Sequence, residues 1–307
     1  MGSIACVDGS CATRDGLSLR FRAWQPGNAQ AVLLVLHGLA EHSGRYLHVG
    51  ARFAGAGYAV YALDHRGHGR SPGPRVHVAA FDEFLEDVDA LRAVAEAEHP
   101  GRPLVLVGHS HGGLVALRYV LTRPAGLAAA IVSSPLLGVH PSSRASPGLI
   151  VLARVLSVLW PGALLPNHVD ASLLSHDPDV VRAYREDSLV SHRVSPRWFT
   201  SAMLAMRQAH ERAAQLALPL LLMVSGADRL VDPEASLRFA AHAPRDKLDL
   251  VLWDGLYHEM FNEPERETVF ARMAAWLEEQ LARREGSSSS LSRWPSWRRG
   301  GPTRGSR

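Results

Sequence analysis

The chain of 307 residues contains only two cysteines, Cys6 and Cys11, and no apolar run long enough to cross a membrane. Two thiols cannot staple a chain of this length, so a disulfide-framework fold is excluded and both thiols are expected to be free. The longest apolar stretch, residues 149–165, is interrupted by Arg154 and is shorter than the about 20 residues that a bilayer-spanning helix needs. Residues 1–17 lack a cationic start followed by an apolar segment, so we expect no secretory signal and a cytoplasmic protein.

The chain also lacks a net positive charge outside its last 22 residues. The formal net charge is +3, but residues 286–307 hold five arginines and no acid, which leaves the rest of the chain at −2. Because recognition of nucleic acid needs a basic surface, we exclude nucleic-acid binding as the function of residues 1–285. Residues 286–307 are rich in Ser, Gly, Pro and Arg, and this composition predicts a disordered basic tail.

Short apolar runs alternate with helical patterns along the chain. Such runs are typical of strands buried on both faces of a parallel sheet. Apolar residues at three- and four-residue spacing predict helices around residues 81–95 and 270–281, the second capped by Asn262 with Glu265 three residues later. The alternation predicts an α/β fold with a mostly parallel central sheet flanked by helices. The predicted strands are residues 17–21, 31–36, 59–63, 104–107, 128–132, 220–224 and 248–253.

The interval 139–215 breaks this alternation, because it contains no clear buried strand. It holds a Pro- and Ser-rich stretch followed by an apolar helical stretch. We predict a helical cap inserted over the carboxyl ends of the strands, where open α/β sheets place their sites. The alternative is a few extra helices of the core. With a cap, the core consists of residues 1–138 and 216–285.

Ser110 lies in the strongest chemical motif of the chain, Gly108-His109-Ser110-His111-Gly112. The motif follows a predicted strand and precedes a helical pattern, which is the context of a nucleophile elbow. The turn strains the backbone at the nucleophile and brings strand and helix close together, so both flanking glycines are needed. Ser110 is therefore the predicted nucleophile.

Asp228 and His258 are the predicted partners of this serine. A serine hydroxyl needs a base, and the base needs an orienting acid. After an elbow of this kind the acid and then the histidine follow along the chain, and these two residues each stand just past a predicted strand. Asp232 is the main alternative acid, but it precedes a proline and a helical pattern, which indicates a helix cap. Asp254 is a second alternative, too close along the chain to His258 to be preferred.

The oxyanion of an acyl-transfer intermediate needs backbone N–H donors. One comes from the residue after the nucleophile, His111, and the other from the loop after the strand at residues 31–36, where Leu39 is the candidate. We expect the side chain of His111 only to line the pocket. This chemistry requires no metal and no cofactor.

Longer stretches of the sequence are more specific than the elbow. They are HGLAEHSGRY at residues 37–46, DHRGHGRS at 64–71, GADRLVD at 226–232 and YHE at 257–259. These stretches resemble the monoacylglycerol lipase and lysophospholipase-like branch of the α/β hydrolases. The resemblance covers residues 12 to about 281 and is weakest in 139–215. It implies an α/β-hydrolase fold with the triad and oxyanion donors Ser110, Asp228, His258, Leu39 and His111.

The resemblance also implies that Glu41 and Arg45 lie near the glycerol end of the pocket. The residues alone leave open a structural ion pair that fixes the loop. Two positions depart from the branch: His111 stands where Met is more frequent, and Phe261 stands where the animal enzymes have a histidine.

The resulting prediction is a serine hydrolase of lipid esters, most directly of monoacylglycerols. Alternatives within enzymes are a lysophospholipase, a carboxylesterase for small soluble esters, and a peptidase of the proline-iminopeptidase type with acids in the cap. A catalytically inactive hydrolase scaffold that binds a ligand is the alternative of another class. Transient contact with a membrane surface is predicted through residues 149–165 or through the tail, which carries Trp294 and Trp297 among its arginines.

Overall fold

The structure, a computed structural model, describes residues 4–167 and 169–291. Eight strands within these ranges form the main sheet, and two short ones pair separately. In chain order the strands are β1 (Cys6–Ala12), β2 (Ser18–Trp24), β3 (Val32–Leu36), β4 (Ala59–Leu63), β5 (Leu104–His109), β6 (Leu127–Ser133), β7 (Leu165–Pro166), β8 (Arg193–Val194), β9 (Leu220–Ser225) and β10 (Leu248–Trp253).

The main sheet has the order β1-β2-β4-β3-β5-β6-β9-β10. The six strands from β4 to β10 run parallel, whereas β2 pairs antiparallel with both β1 and β4. The predicted parallel α/β sheet is therefore confirmed, and each of the predicted strands is present. In the main sheet only β1 was missed, because this edge strand is largely exposed and has no apolar run; the two-residue strands β7 and β8 were not predicted either. Its Gly9 lies against the ring of Phe21, where a Cβ would be 2.3 Å from Cζ.

Helices cover both faces of the sheet. Along β3 the side chain of Leu34 belongs to one hydrophobic core and those of Leu33 and Val35 to another, as the twofold alternation of a strand requires. Among the described residues, no helix is both long and apolar enough to cross a membrane. The helices are α1 (Leu47–Gly55), α2 (Asp82–Glu98), α3 (Ser110–Thr122), α4 (Pro147–Leu159), α5 (Pro178–Glu186), α6 (Pro196–Glu211), α7 (Pro233–His242) and α8 (Arg266–Leu291).

The predicted start of the last helix at Asn262 is wrong. Asn262 ends a short 3-10 turn, and its amide Nδ2 donates to Oε2 of Glu259 at 2.9 Å. Glu263 precedes a proline and adopts an extended backbone, as residues before proline do, so α8 begins only at Arg266. At its other end α8 extends to Leu291, into the segment predicted to be a tail, and residues 292–307, with Trp294 and Trp297, lie outside the described residues.

The 139–215 segment connects β6 to β9 and contains α4, α5, α6 and the β7–β8 pair. Backbone hydrogen bonds tie it to the loops that follow the carboxyl ends of β3, β4, β9 and β10. The amide of Ser191 donates to the carbonyl of Ala40, just after β3, and the amide of Glu259, after β10, donates to the carbonyl of Leu174, both at 2.8 Å. The segment is therefore attached to the edge of the sheet where β3 and β10 end.

Candidate active site

Ser110 is the first residue of α3 and directly follows β5. Its φ of 52° lies in the left-handed region that residues other than glycine rarely adopt. The neighbouring glycines allow this turn: a Cβ on Gly108 would lie 2.3 Å from the carbonyl oxygen of Gly112, and a Cβ on Gly112 would lie 2.1 Å from that of Leu36. Close packing of β3, β5 and α3 thus requires both glycines.

Three side chains from separate loops form one hydrogen-bonded chain. Nε2 of His258 lies 2.9 Å from Oγ of Ser110, and Nδ1 of the same ring lies 2.6 Å from Oδ2 of Asp228. All three residues are buried. The structure therefore brings together the serine, histidine and aspartate that the sequence predicts, in the hydrogen-bonded arrangement that a nucleophile, its base and an orienting acid need.

The carboxylate of Asp228 is fixed by its own loop. Its Oδ1 accepts hydrogen bonds from the amides of Leu230 and Val231 at 2.8 and 2.9 Å, which leaves Oδ2 to accept from His258. The alternative acid, Asp232, caps α7 by accepting from the amide of the second residue of that helix. Its predicted role as a helix cap is confirmed.

Electrostatics favour a protonatable imidazole at His258. Burial by itself lowers its pKa, but the charge and hydrogen bond of Asp228 and the charges of Glu259 and Glu41 raise the pKa above its ordinary value. The neighbouring His109 behaves in the opposite way, because burial and the charge of His258 lower its pKa to about 4. His109 is therefore neutral near pH 7, and His258 is the base suited to accept a proton from Ser110.

The two candidate oxyanion donors, the amides of Leu39 and His111, come from the loop after β3 and from the first turn of α3. The loop of Leu39 approaches the serine closely, since a Cβ on the adjacent Gly38 would be 3.4 Å from Cβ of Ser110. Leu39 and Ser110 both line the same cavity. The amide of His111 lies in the first turn of α3, where backbone N–H groups have no acceptor within the helix and the helix dipole favours negative charge.

The side chain of His111 is not where we expected it. It is completely buried and does not line the cavity. Its ring contacts those of Phe84 and Trp198 edge-on, with centroids 4.7 and 5.6 Å away. The expectation that it lines the pocket is wrong, because aromatic residues of α2 and α6 enclose this side of the first turn of α3 and hold the ring in the core.

Two further buried histidines, His65 and His68, have rings next to this one, and the buried ring of His37 contacts both of them. Burial lowers the pKa of His37 to about 4 and that of His68 to about 3, and it lowers those of His65 and His111 well below the ordinary value. The four rings are therefore neutral near pH 7. Within the described part of the chain, no group of three or more His, Cys, Asp and Glu side chains is arranged to hold a metal ion.

A cavity of about 760 Å³ opens above Ser110 and His258. Most of its walls are apolar and come from the 139–215 segment. A volume of this size falls in the range of small-molecule sites, which is about 300–1,000 Å³. The apolar wall residues include Leu149, Leu152, Phe199, Ala202, Met203 and Met206.

Glu41 and Arg45 form the ion pair that the sequence left open, and Glu41 also lines the cavity. Sequence reasoning missed the third member, Glu259, whose two oxygens accept from the Arg45 guanidinium at 2.5 and 2.7 Å. The ring of Tyr184 from α5 lies under the same guanidinium, 4.9 Å from its carbon. The position of Glu259 directly after His258 was the available signal, but no spacing in the sequence pairs it with Arg45.

The other departure from the branch, Phe261, is buried with its ring centroid 6.1 Å from that of His109.

Comparison with known proteins gives a consistent result. The family model described as serine aminopeptidase, S33, matches residues 27–265. A monoacylglycerol lipase of Mycolicibacterium smegmatis is 39% identical over 268 residues, which cover 87% of this chain and 95% of that protein. The phospholipase YtpA of Bacillus subtilis is 32% identical over 260 residues, covering 84% of this chain and 99% of the relative. The crystal structure of a monoacylglycerol lipase from Paleococcus ferrophilus superposes with a TM-score of 0.76 at 33% identity, covering 90% and 99% of the two chains.

Proposed function

This chain belongs to the serine aminopeptidase S33 family of α/β hydrolases, and from that membership we propose that it hydrolyses monoacylglycerols to glycerol and a fatty acid. At the coarser level it is a serine hydrolase of lipid esters. The observation that carries the proposal is the Ser110–His258–Asp228 chain at the floor of a mostly apolar cavity. Such a cavity suits an acyl chain, and such a triad cleaves its ester.

In the proposed acylation step, Oγ of Ser110 attacks the ester carbonyl carbon while Nε2 of His258 takes the hydroxyl proton. Asp228 accepts the Nδ1–H bond, which fixes the tautomer and stabilises the imidazolium that forms. The N–H groups of Leu39 and His111 bind the oxyanion. When the intermediate collapses, the bond between the acyl carbon and the alcohol oxygen breaks, and His258 returns its proton to the departing alcohol.

In the proposed deacylation step, a water molecule takes the place of the alcohol. His258 removes a proton from this water as it attacks the acyl carbon. When the second tetrahedral intermediate collapses, the bond between the acyl carbon and Oγ of Ser110 breaks, His258 returns the proton to Oγ, and the fatty acid leaves. The neutral His109 takes no proton in either step. The chain's own residues therefore account for each proton transfer.

The experiment that tests this function is hydrolysis of a chain-length series of monoacylglycerols by the wild type and by Ser110→Ala. A lysophospholipid and a short aryl ester are assayed alongside. We expect long-chain monoacylglycerols to have the highest kcat/KM and the variant to be inactive. Cleavage of the aryl ester alone would reduce the assignment to a general carboxylesterase.

A labelling experiment with the same two proteins tests the alternative that the protein is a non-catalytic scaffold. A serine-directed fluorophosphonate is expected to label the wild type and not Ser110→Ala. If the folded wild type is neither labelled nor active, the protein is a non-catalytic scaffold that binds a ligand. The peptidase alternative predicts cleavage of N-terminal residues from peptides, for which a proline arylamide is the probe.

We further propose that α4 contacts lipid surfaces. Its end carries the exposed apolar side chains of Val158, Leu159 and Trp160, which are 74%, 77% and 68% exposed. Leu152 on the same helix lines the cavity while 49% of it is exposed, so this face borders the substrate entrance. Apolar and aromatic side chains on one helix are typical of interfacial contact.

Co-sedimentation with vesicles of zwitterionic lipid tests this contact. Val158→Glu/Leu159→Glu is expected to reduce bound protein severalfold and to leave hydrolysis of a soluble aryl ester unchanged. Val7→Glu is the matched control. Val7 is 50% exposed and lies on the edge strand β1, outside the 139–215 segment. Equal binding of the three proteins would refute the role of α4. A parallel truncation of residues 286–307 tests the tail.

We also propose a cytoplasmic location. Cys6 and Cys11 are free, one exposed and one buried on the same strand, which suits a reducing compartment. Fractionation of the source cells with an antibody tests it, and recovery of the protein from an extracytoplasmic fraction would contradict it.

A further inference from the structure

Two buried carboxylates lie beside the reacting groups. Glu259 directly follows His258, and Oε1 of Glu41 accepts a hydrogen bond from the amide of Gly38 at 2.6 Å. Both glutamates line the cavity together with Ser110, and they are only 3% and 4% exposed. Whatever binds next to Ser110 on this side meets carboxylate oxygens.

These two carboxylates share one cation. Arg45 donates to both oxygens of Glu259 and also to Oε2 of Glu41. The other partners of the two carboxylates are donors as well: Tyr46 Oη–H for Glu41, at 2.7 Å, and the side-chain amide of Asn262 for Glu259. Burial would raise the pKa of Glu259, but the charge and hydrogen bonds of Arg45 lower it to about 2.

Because every hydrogen-bond partner of the two carboxylates is a donor, both are carboxylates rather than acids, and the cluster of Glu41, Arg45 and Glu259 carries one net negative charge. Among the residues that the structure describes, Arg45 is the only arginine or lysine within ion-pair distance of either carboxylate. Tyr184 and the catalytic loops enclose the cluster and limit its hydration. A charge in such a site acts strongly on a neighbouring ligand, because little water screens it.

The shape of the cavity assigns this cluster to one half of an ester. The walls from the 139–215 segment are apolar and suit the acyl chain, so the alcohol half of an ester bound at Ser110 lies toward the charged cluster. Two arginines also line the cavity, but neither lies within ion-pair distance of Glu41 or Glu259; Arg144 is 56% exposed and pairs with Asp232 at 3.5 Å. Arg229 belongs to the loop of Asp228.

We propose that Glu259, together with Glu41, makes the alcohol subsite anionic and selects esters of uncharged, hydroxyl-bearing alcohols over esters whose alcohol carries a phosphate. Hydroxyl groups of a neutral polyol donate hydrogen bonds to the carboxylates. A phosphate supplies only acceptors when ionised and is repelled by the net charge. This inference rests on the proposed function and separates monoacylglycerols from anionic lysophospholipids, which contain the same ester bond.

The test compares two substrates with the same oleoyl chain, monooleoylglycerol and oleoyl lysophosphatidic acid, in micelles of a neutral detergent. The readout is kcat/KM for monooleoylglycerol divided by kcat/KM for oleoyl lysophosphatidic acid. This ratio does not depend on the fraction of active enzyme in a preparation. The wild type is expected to prefer the neutral ester by at least tenfold. Glu259→Gln keeps the size of the side chain and removes its charge, so the ratio is expected to fall about tenfold or more.

Two further variants complete the experiment. Glu41→Gln is expected to move the ratio in the same direction. Glu265→Gln is the matched control, because Glu265 is exposed, lies outside the cavity lining and undergoes the same change of charge; its ratio is expected to equal that of the wild type.

The wild type alone decides the inference if the cluster variants do not fold. Equal kcat/KM values for the two oleoyl esters would overturn it and leave monoacylglycerol hydrolysis intact. An unchanged ratio in a folded, fluorophosphonate-labelled Glu259→Gln would also overturn it. Failure of the wild type to cleave either ester contradicts the proposed function instead.

Discussion

Asp228→Asn separates the two roles that we propose for this aspartate, because its two oxygens have different partners. Oδ1 accepts from two backbone amides at 2.8 and 2.9 Å, and Oδ2 accepts from Nδ1 of His258 at 2.6 Å. In the asparagine variant the side-chain oxygen is held by the two amides. The NH2 group then takes the place of Oδ2 and points at His258.

This geometry predicts a wrong tautomer rather than a misplaced ring. An NH2 donor requires Nδ1 of His258 to be an acceptor, so the ring proton moves to Nε2, where it faces Oγ of Ser110 and cannot accept the hydroxyl proton. An equivalent tautomer change in another serine hydrolase lowers kcat by about 10⁴, and we expect a loss of that order. The pKa of His258 also falls, since Asp228 is the main group that raises it.

The assay is kcat for a monoacylglycerol and for a short aryl ester, with thermal unfolding to check the fold. The matched control is Asp232→Asn, because Asp232 caps α7 and asparagine caps helices as well as aspartate does. The control is expected to keep wild-type kcat and to change stability by less than about 1 kcal/mol. The reasoning is refuted if Asp228→Asn retains more than a tenth of the activity or if Asp232→Asn loses it.

Three other perturbations have definite expected outcomes. Gly112→Ala places a Cβ 2.1 Å from a backbone carbonyl oxygen of β3, so we expect loss of soluble folded protein. The control is Gly148→Ala in α4, whose Cβ meets no atom within 4 Å and which is expected to keep or raise the Tm. The kcat/KM of the wild type is expected to rise with pH through a pKa above the ordinary histidine value, because His258 must be neutral to act as a base and its pKa is raised. An inflection below pH 6 would contradict this. Buried His37 and His68, with pKa values of about 4 and about 3, bind protons on unfolding. Their contribution to the free energy of unfolding is complete above about pH 6.5 and is lost as the pH falls toward the folded-state values, by about 1.4 kcal/mol per pH unit for each ring. Urea midpoints that stay constant between pH 6.5 and 5 would refute it.

The sequence was sufficient for the parallel sheet and for the three side chains now found in hydrogen-bond contact. Both depend on local signals: buried runs for strands, glycines around Ser110, and strand ends before Asp228 and His258. The pairing of Glu259 with Arg45 was out of reach, because 214 residues separate them and only the sheet order brings their loops together.

Other differences have equally physical reasons. The edge strand β1 lacks the burial that produces an apolar run, and the proline after Glu263 overrode a plausible cap at Asn262. The orientation of the His111 ring depended on which helices flank α3, information that a motif of five residues does not contain.

The attachment of the 139–215 segment has a consequence for engineering and for divergence within the family. The bond from Ser191 to Ala40 ends next to Leu39, the proposed oxyanion donor, and the bond from Glu259 to Leu174 begins next to His258. Exchanging this segment for that of a relative therefore replaces the acyl-chain walls and, in the same event, the anchors of two catalytic loops. We expect chimaeras that retain both anchors to change chain-length preference at nearly constant kcat, and those that lose either one to lose kcat for every substrate.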